Sequence, residues 1–202
     1  MNACLHTQRL RLEIARPGHE RALARHYEEN FEGHLARWSP PPPPEGLGVT
    51  AWAAKLPGFA REYDAGQSAR WVLFEKTGDP EELVGTANVT QIARGPFQAA
   101  FLGYEVAARH EGRGYMTEAL QAVVSHAFGE LRLHRLMANV LPSNERSIRL
   151  LGRLGFDREG YAPDYLFIGG QWRDHILTSR LNPAFDPAWL VSPPAKSREA
   201  AP

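Results

Sequence analysis

Residues 109–115 read Arg109-His110-Glu111-Gly112-Arg113-Gly114-Tyr115, two glycines set among five ionisable side chains. Residues of these types at this spacing suit the binding of an anion. Gly112 and Gly114 let the backbone close on a phosphate with no Cβ in the way. Immediately afterwards Met116, Ala119, Leu120, Val123, Val124, Ala127 and Leu131 fall on one helical face, so the loop opens a helix. A helix start carries unpaired N–H groups and the positive end of the dipole. Together these favour a phosphate or pyrophosphate. Thr117 stands where a dinucleotide fingerprint needs its third glycine, and no lysine lies between Lys76 and Lys196 to complete a P-loop.

The elements that must position this loop follow from the hydropathy pattern. Before it, Phe101 to Val106 is a short apolar and aromatic strand. Further upstream, residues 9–14 alternate charged and apolar groups as a half-buried strand. Pro17 suits the first position of a helix running to about Asn30. The five prolines from Pro40 to Pro44 can only link two elements in extended form. Trp52 to Tyr63 predicts a second helix that Pro57-Gly58 would break or kink. Trp71–Glu75 and Leu83–Gln91 predict strands.

Downstream, Leu136–Val140 is a strand that should lose its neighbour at Leu141-Pro142, because proline cannot donate to a ladder. Ser143 or Asn144 caps a helix with Ile148, Leu151 and Leu154 on its buried face, ended by Gly155. Tyr165–Ile168, Gly169-Gly170 and Trp172–Thr178 make a two-residue hairpin. The order β-α-α-β-β-β-α-β-α-β-β is that of a mixed α/β sheet. It places one globular domain at 1–182 and a poorly ordered, proline- and alanine-rich tail at 183–202.

Composition narrows the function classes. At 202 residues with 43% hydrophobic content, one domain has room for a sizeable core. Lysine plus arginine equals aspartate plus glutamate, 23 each, so no global basic footprint points to direct nucleic-acid binding. No apolar run has membrane-spanning length. The single cysteine, Cys4, fits a reducing compartment. None of the eight histidines shows metal-ligand spacing. The expectation is a soluble cytoplasmic protein without a metal.

Arg109-x-x-Gly112-x-Gly114, the element order, and Asn144-x-x-Ser147 leading to Leu154-Gly155-Phe156 together resemble the GNAT N-acetyltransferases. Arg94-Gly95-Pro96-Phe97, Leu102-Gly103-Tyr104, His134 to Asn139, Glu159-Gly160-Tyr161 and Gly170 to His175 are similar to its RimJ-type branch. That resemblance implies a mostly antiparallel central sheet, flanked by helices, with two strands splayed around the pantetheine arm of acetyl-CoA. It implies that the cofactor arm pairs with backbone around Val106 and with Asn144. The backbone from His110 through Glu111, Gly112, Arg113, Gly114 and Tyr115 to Met116 would hold the pyrophosphate, with Arg109 or Arg113 adding charge. It further implies acetylation of the N-terminal alanine of a ribosomal protein.

The chemistry is attack of a neutral amine on a thioester carbonyl, with loss of a thiolate. Ser147 stands at the family's position for assisting the leaving group, and Tyr104 and Tyr165 are further hydroxyl donors. The family's acidic residue after the last helix falls on Leu166, which leaves Asp164 and Glu105 as substitutes for a base. Glu28, Glu29 and Glu32 gather near the end of the first helix, where the dipole disfavours acids, and could attract a basic acceptor peptide. At this point Asn144 also reads as a plain helix cap, Ser147 as a solvated hydroxyl, and the three acids as a solvated helix end. A small-amine acetyltransferase, and a non-catalytic acyl-CoA-binding or ribosome-assembly factor, remain as alternatives.

Overall fold

The computed structural model describes residues 4–191. Within them, eight strands form one sheet in the order β1-β2-β3-β4-β5-β6-β8-β7. The strands are β1 Cys4–His6, β2 Leu10–Ile14, β3 Ala69–Glu75, β4 Leu83–Ala93, β5 Ala99–Val106, β6 Arg135–Met137, β7 Asp157–Ile168 and β8 Gln171–Leu181. All neighbours are antiparallel except β5 and β6. The mixed α/β architecture expected from the sequence is present.

Four α-helices cover the sheet: α1 Glu20–Asn30, α2 Val49–Asp64, α3 Tyr115–Gly129 and α4 Glu145–Arg153. The alternation of side chains across each strand divides the core in two. Leu12, Trp71, Leu73, Ala87 and Leu102 face α3 and α4, where Leu120, Val123 and Leu151 meet them. Val72, Phe74 and Leu83 face the other way, onto Leu23 of α1 and Trp52 and Leu56 of α2. The helices α1 and α2 thus sit over the β2–β4 half of one face.

Several boundaries differ from the sequence reading. The first helix begins at Glu20 rather than Pro17, because Pro17-Gly18 forms a turn whose Gly18 N–H donates to the Glu20 carboxylate. Helix α2 runs through Pro57 without breaking. The carbonyl that Pro57 leaves unpaired belongs to Ala53, which is exposed and open to water. After α1 the chain adds a π-helical turn, Phe31–Leu35, that no periodicity announced. Beyond β8 the described chain packs back onto the fold. Buried Asn182 donates to the carbonyls of Phe128 and Leu133. Phe185 and Trp189, four residues apart, pack edge to face, with Arg132 over the Trp189 ring. Residues 192–202 of the expected tail lie outside the described residues.

Candidate active site

The loop starts where the sequence put it. Helix α3 follows Gly114, which takes φ 80° and ψ 0°, a left-handed conformation, and Gly112 has φ 74°. A Cβ at either position would be strained, and at Gly112 it would project into open space. No side chain caps α3, so its first-turn N–H groups have no partner within the helix. This is a cradle of donors facing outward at the positive end of a 15-residue helix.

The side chains around the cradle hold it in shape. His110 is buried; its Nδ1 accepts from Arg113 at 3.2 Å and its Nε2 donates to Glu82 at 3.0 Å. The Arg109 guanidinium pairs with Glu82 at 2.9 Å and Glu29 at 3.4 Å, so it faces the start of β4 and the end of α1. Glu111 pairs with Arg146 of α4. The Tyr115 hydroxyl donates to Glu75, and the Met116 side chain is in the core; of Met116 only the backbone can serve a ligand. Arg9 arrives from the β1–β2 turn, donating to the Arg113 carbonyl at 3.0 Å and lying over the Tyr115 ring. More than a hundred residues separate it from the loop, and no local signal marks it.

The second feature is a gap in the sheet. Pairing of β5 with β6 ends at Phe101↔Met137, although β5 continues to Val106. Beyond Met137 the chain stays with β8: Ala138 N–H donates to the Thr178 carbonyl, and Val140 and Ile176 exchange both bonds. On the other side of β5, Gly85 stands opposite Val106, and Ala107 N–H donates to Val84. Gly85 has no room for a side chain, since a Cβ there would lie 2.1 Å from the Glu105 carbonyl oxygen. In this register Glu105 and Ala107 turn their peptide groups toward β4, while those of Tyr104 and Val106 face the gap. The Val106 carbonyl is taken by His34 Nε2 at 3.0 Å. The Val106 N–H is left facing the gap.

Consecutive side chains then flank this edge from opposite faces. Tyr104 lies on the α3–α4 face, its hydroxyl 2.6 Å from Ser147 Oγ. Burial pushes the Tyr104 hydroxyl up to about 12, partly offset by the Ser147 hydrogen bond. Asn144 caps α4, accepting from Ser147 N–H at 3.1 Å through Oδ1, so the cap reading holds and only its amide NH2 faces elsewhere. Glu105 lies on the α1 face, with Thr86 Oγ1 at 3.4 Å and His26 Nε2 at 3.5 Å. Burial, then the Glu105 charge, raises the pKa of the neighbouring Tyr27.

The other sequence candidates are more distant. A bulge in β7 between Ala162 and Leu166 carries Asp164, at φ 47°, and Tyr165. Asp164 N–H donates to Asp174 on the outer edge, three strands from β5 in the sheet order. Tyr165 turns inward over the His175 ring and accepts from Asn139 Nδ2 at 2.8 Å. Glu28, Glu29 and Glu32 are all exposed, and Glu29 is engaged by Arg25 and Arg109. A cavity of about 690 Å³ between the far ends of α3 and α4 is lined by Phe128, Arg153, Arg180 and Trp189. It lies at the opposite end of α3 from the loop.

The chain matches the family model of the GNAT acetyltransferase domain over residues 9–157. It belongs to the GNAT acetyltransferases. Over 183 residues it is 38% identical to the [ribosomal protein uS5]-alanine N-acetyltransferase of Escherichia coli, covering 91% of this acetyltransferase and 93% of that one. A ribosomal-protein-S5-alanine acetyltransferase from Vibrio fischeri superposes with a TM-score of 0.86 at 29% identity, covering 92% of this chain and all of that one. Mycobacterium smegmatis RimJ, solved in complex with CoA-disulfide, superposes with a TM-score of 0.79 at 30% identity, covering 85% and 81%. Acetyl-CoA is the acetyl donor of this family, and the residues present fit it. The uncapped start of α3 and the left-handed Gly112 and Gly114 form an anion cradle, and the gap beside Val106 offers an unpaired strand edge to an amide-bearing arm.

Proposed function

We propose that this acetyltransferase moves an acetyl group from acetyl-CoA to the N-terminal α-amine of a protein, and that the acceptor is a ribosomal protein beginning with alanine. The observation that carries the reading is the Val106 edge, with the Tyr104–Ser147 pair on one face and Glu105 on the other. When bound, acetyl-CoA supplies a thioester whose carbonyl is open to an amine and whose thiolate can leave.

Each residue then has a task. The start of α3 and residues 110–116 bind the pyrophosphate through backbone N–H groups. Arg113 and Arg9 add positive charge beside it. The amide NH2 of Asn144 donates to the arm. The Val106 N–H stabilises negative charge developing on the carbonyl oxygen. Glu105, on the face from which an acceptor can approach beside α1, takes the proton from the amine. Tyr104 and Ser147 face the departing sulfur. An ordinary thiol has a pKa near ~8.5, well below the value of about 12 at Tyr104, so the pair stabilises the thiolate by hydrogen bonding and keeps its own protons. Tyr165 with Asn139 lines the acceptor side, and Asp164 lies at its outer rim.

The exposed acids Glu28 and Glu32 add negative potential at the end of α1 and favour a basic acceptor segment. A ribosomal acceptor also accounts for a cytoplasmic enzyme. Mass spectrometry on peptides offered with labelled acetyl-CoA tests the reading. The expected product is an acetylated N-terminal alanine, with a KM for basic peptides that rises with salt. Turnover of spermidine with no modification of any peptide would replace this reading by the small-amine one.

A further inference from the structure

The end of α1 and the π-helical turn reach across the fold to the backbone that joins the Val106 edge to the glycine loop. Asn30 and His34 are the side chains that make the contact, and both are buried. His34 Nε2 donates to the Val106 carbonyl at 3.0 Å. Asn30 Oδ1 accepts from Ala108 N–H at 2.8 Å. Between these two bonds lies Ala107, fully buried and tied to β4 through Val84.

The Asn30 amide cannot rotate away, because its Nδ2 donates to the His26 carbonyl at 2.8 Å, one turn back in α1. That bond fixes which end of the amide faces Ala108. His34 also stands 3.8 Å from the Glu111 carboxylate, inside the loop itself. Two successive peptide groups are therefore held from a helix more than seventy residues away in sequence. Upstream of them is the Val106 N–H, and downstream is the cradle. A helix that ends in a π turn has lost regular backbone pairing there, and such turns recur where function needs them.

Resting on the acetyl-CoA reading above, we infer that Asn30 and His34 are positioning residues for the cofactor. They act by fixing the hinge between the strand edge and the glycine loop. Neither needs to touch acetyl-CoA. Losing either bond leaves a part-buried peptide group without its side-chain partner and lets the hinge move. The consequence is weaker acetyl-CoA binding, and not a loss confined to the chemical step or to acceptor affinity.

The test uses His34→Ala, His34→Gln and Asn30→Leu in the full chain. Leu fills the space of Asn30 without its acceptor, and Gln keeps an N–H donor at 34. Acetyl-CoA affinity is read by calorimetry, folding by circular dichroism, and the acceptor KM at saturating acetyl-CoA. The expectation is a roughly 5- to 50-fold rise in acetyl-CoA Kd for His34→Ala and Asn30→Leu. His34→Gln should return to within about threefold of wild type, and the acceptor KM should move by less than about twofold. A folded His34→Ala or Asn30→Leu protein with wild-type affinity overturns the inference, as does a His34→Gln protein as impaired as His34→Ala. If both non-conservative variants unfold, the two residues serve the fold and the inference fails. If wild-type protein does not bind acetyl-CoA, the cofactor reading itself falls.

Discussion

The Tyr104 hydroxyl and Ser147 Oγ lie 2.6 Å apart, joining the splayed end of β5 to the first turn of α4. Ser147 is oriented by its own N–H on Asn144, and Tyr104 by burial in the α3–α4 core. The pair therefore acts as one unit, and its two members should not contribute independently. Ser147→Ala and Tyr104→Phe are each expected to lower kcat by roughly ten- to a hundredfold with little change in acetyl-CoA Kd. The double variant should be no more than about threefold worse than the worse single one. Multiplying losses in steady-state kinetics would show that the two hydroxyls serve separate steps.

Gly114 carries the start of α3 at φ 80°, with an Arg9 nitrogen 3.5 Å from where a Cβ would stand. A β-branched residue there is strained by about 1–3 kcal/mol and narrows the approach to the cradle. Gly114→Val should weaken acetyl-CoA binding by at least roughly tenfold. The far-ultraviolet circular dichroism should stay native, since the buried face of α3 is untouched. Calorimetry giving wild-type affinity in the folded variant would remove the cradle from the cofactor site.

The cradle was legible because its signals are local: two glycines, a periodic helix after them, a short strand before. The start of α4 at Asn144 was legible for the same reason. What surrounds them was not, because it depends on which distant strands become neighbours. Arg9 meets Arg113 and Tyr115 only because β2 pairs β3 and α3 lies across them. Asn30 and His34 find Val106 and Ala108 through a π turn that breaks the helical period. Asp164 and Glu105 looked equivalent as acids in sequence. The sheet order separates them, setting Asp164 on the outer strand and Glu105 next to the Val106 edge. Pro57 misled in the other direction, since a helix tolerates proline where the freed carbonyl is exposed.

Glu118 anchors the start of α3 to the β1–β2 turn, accepting from Thr7 Oγ1 at 2.5 Å and from Arg9 N–H and Nε at 2.7 Å each. Burial acts to raise its pKa, but the Thr7 and Arg9 hydrogen bonds and the Arg9 charge outweigh it, and the net value is lowered. A carboxylate depressed in the folded state stabilises the protein above its unfolded pKa and loses that contribution as pH falls through the folded value. Glu118→Gln should therefore lower Tm by roughly 3–6 °C at pH 7. The difference from wild type should shrink steadily below about pH 4.5. Thermal melts at pH 7 and pH 3 showing the same gap would mean that packing, not charge, makes the contact valuable.

The identity of the acetylated amine follows from proton chemistry at the Val106 edge. A lysine amine has a pKa near ~10.4, so only about one molecule in 2,500 is neutral at pH 7. An α-amine, near ~7.8, is neutral in about one molecule in seven. Glu105, flanked by Thr86 and His26, is the carboxylate beside the Val106 edge, and a carboxylate is a weak base. That suffices for an amine already close to neutral and serves a lysine poorly. A peptide with a free N-terminal alanine should be acetylated there, and one with a blocked N-terminus and free lysines should not. At fixed low peptide concentration the rate should rise with pH through the α-amine titration and then level off. It should not fall again below about pH 10, because Tyr104 keeps its proton to about 12. Glu105→Gln should lower the rate while leaving acetyl-CoA affinity within about twofold, and its deficit should narrow as pH rises and the amine deprotonates unaided. Equal turnover of the blocked, lysine-bearing peptide in a mass-spectrometric assay would overturn the α-amine assignment.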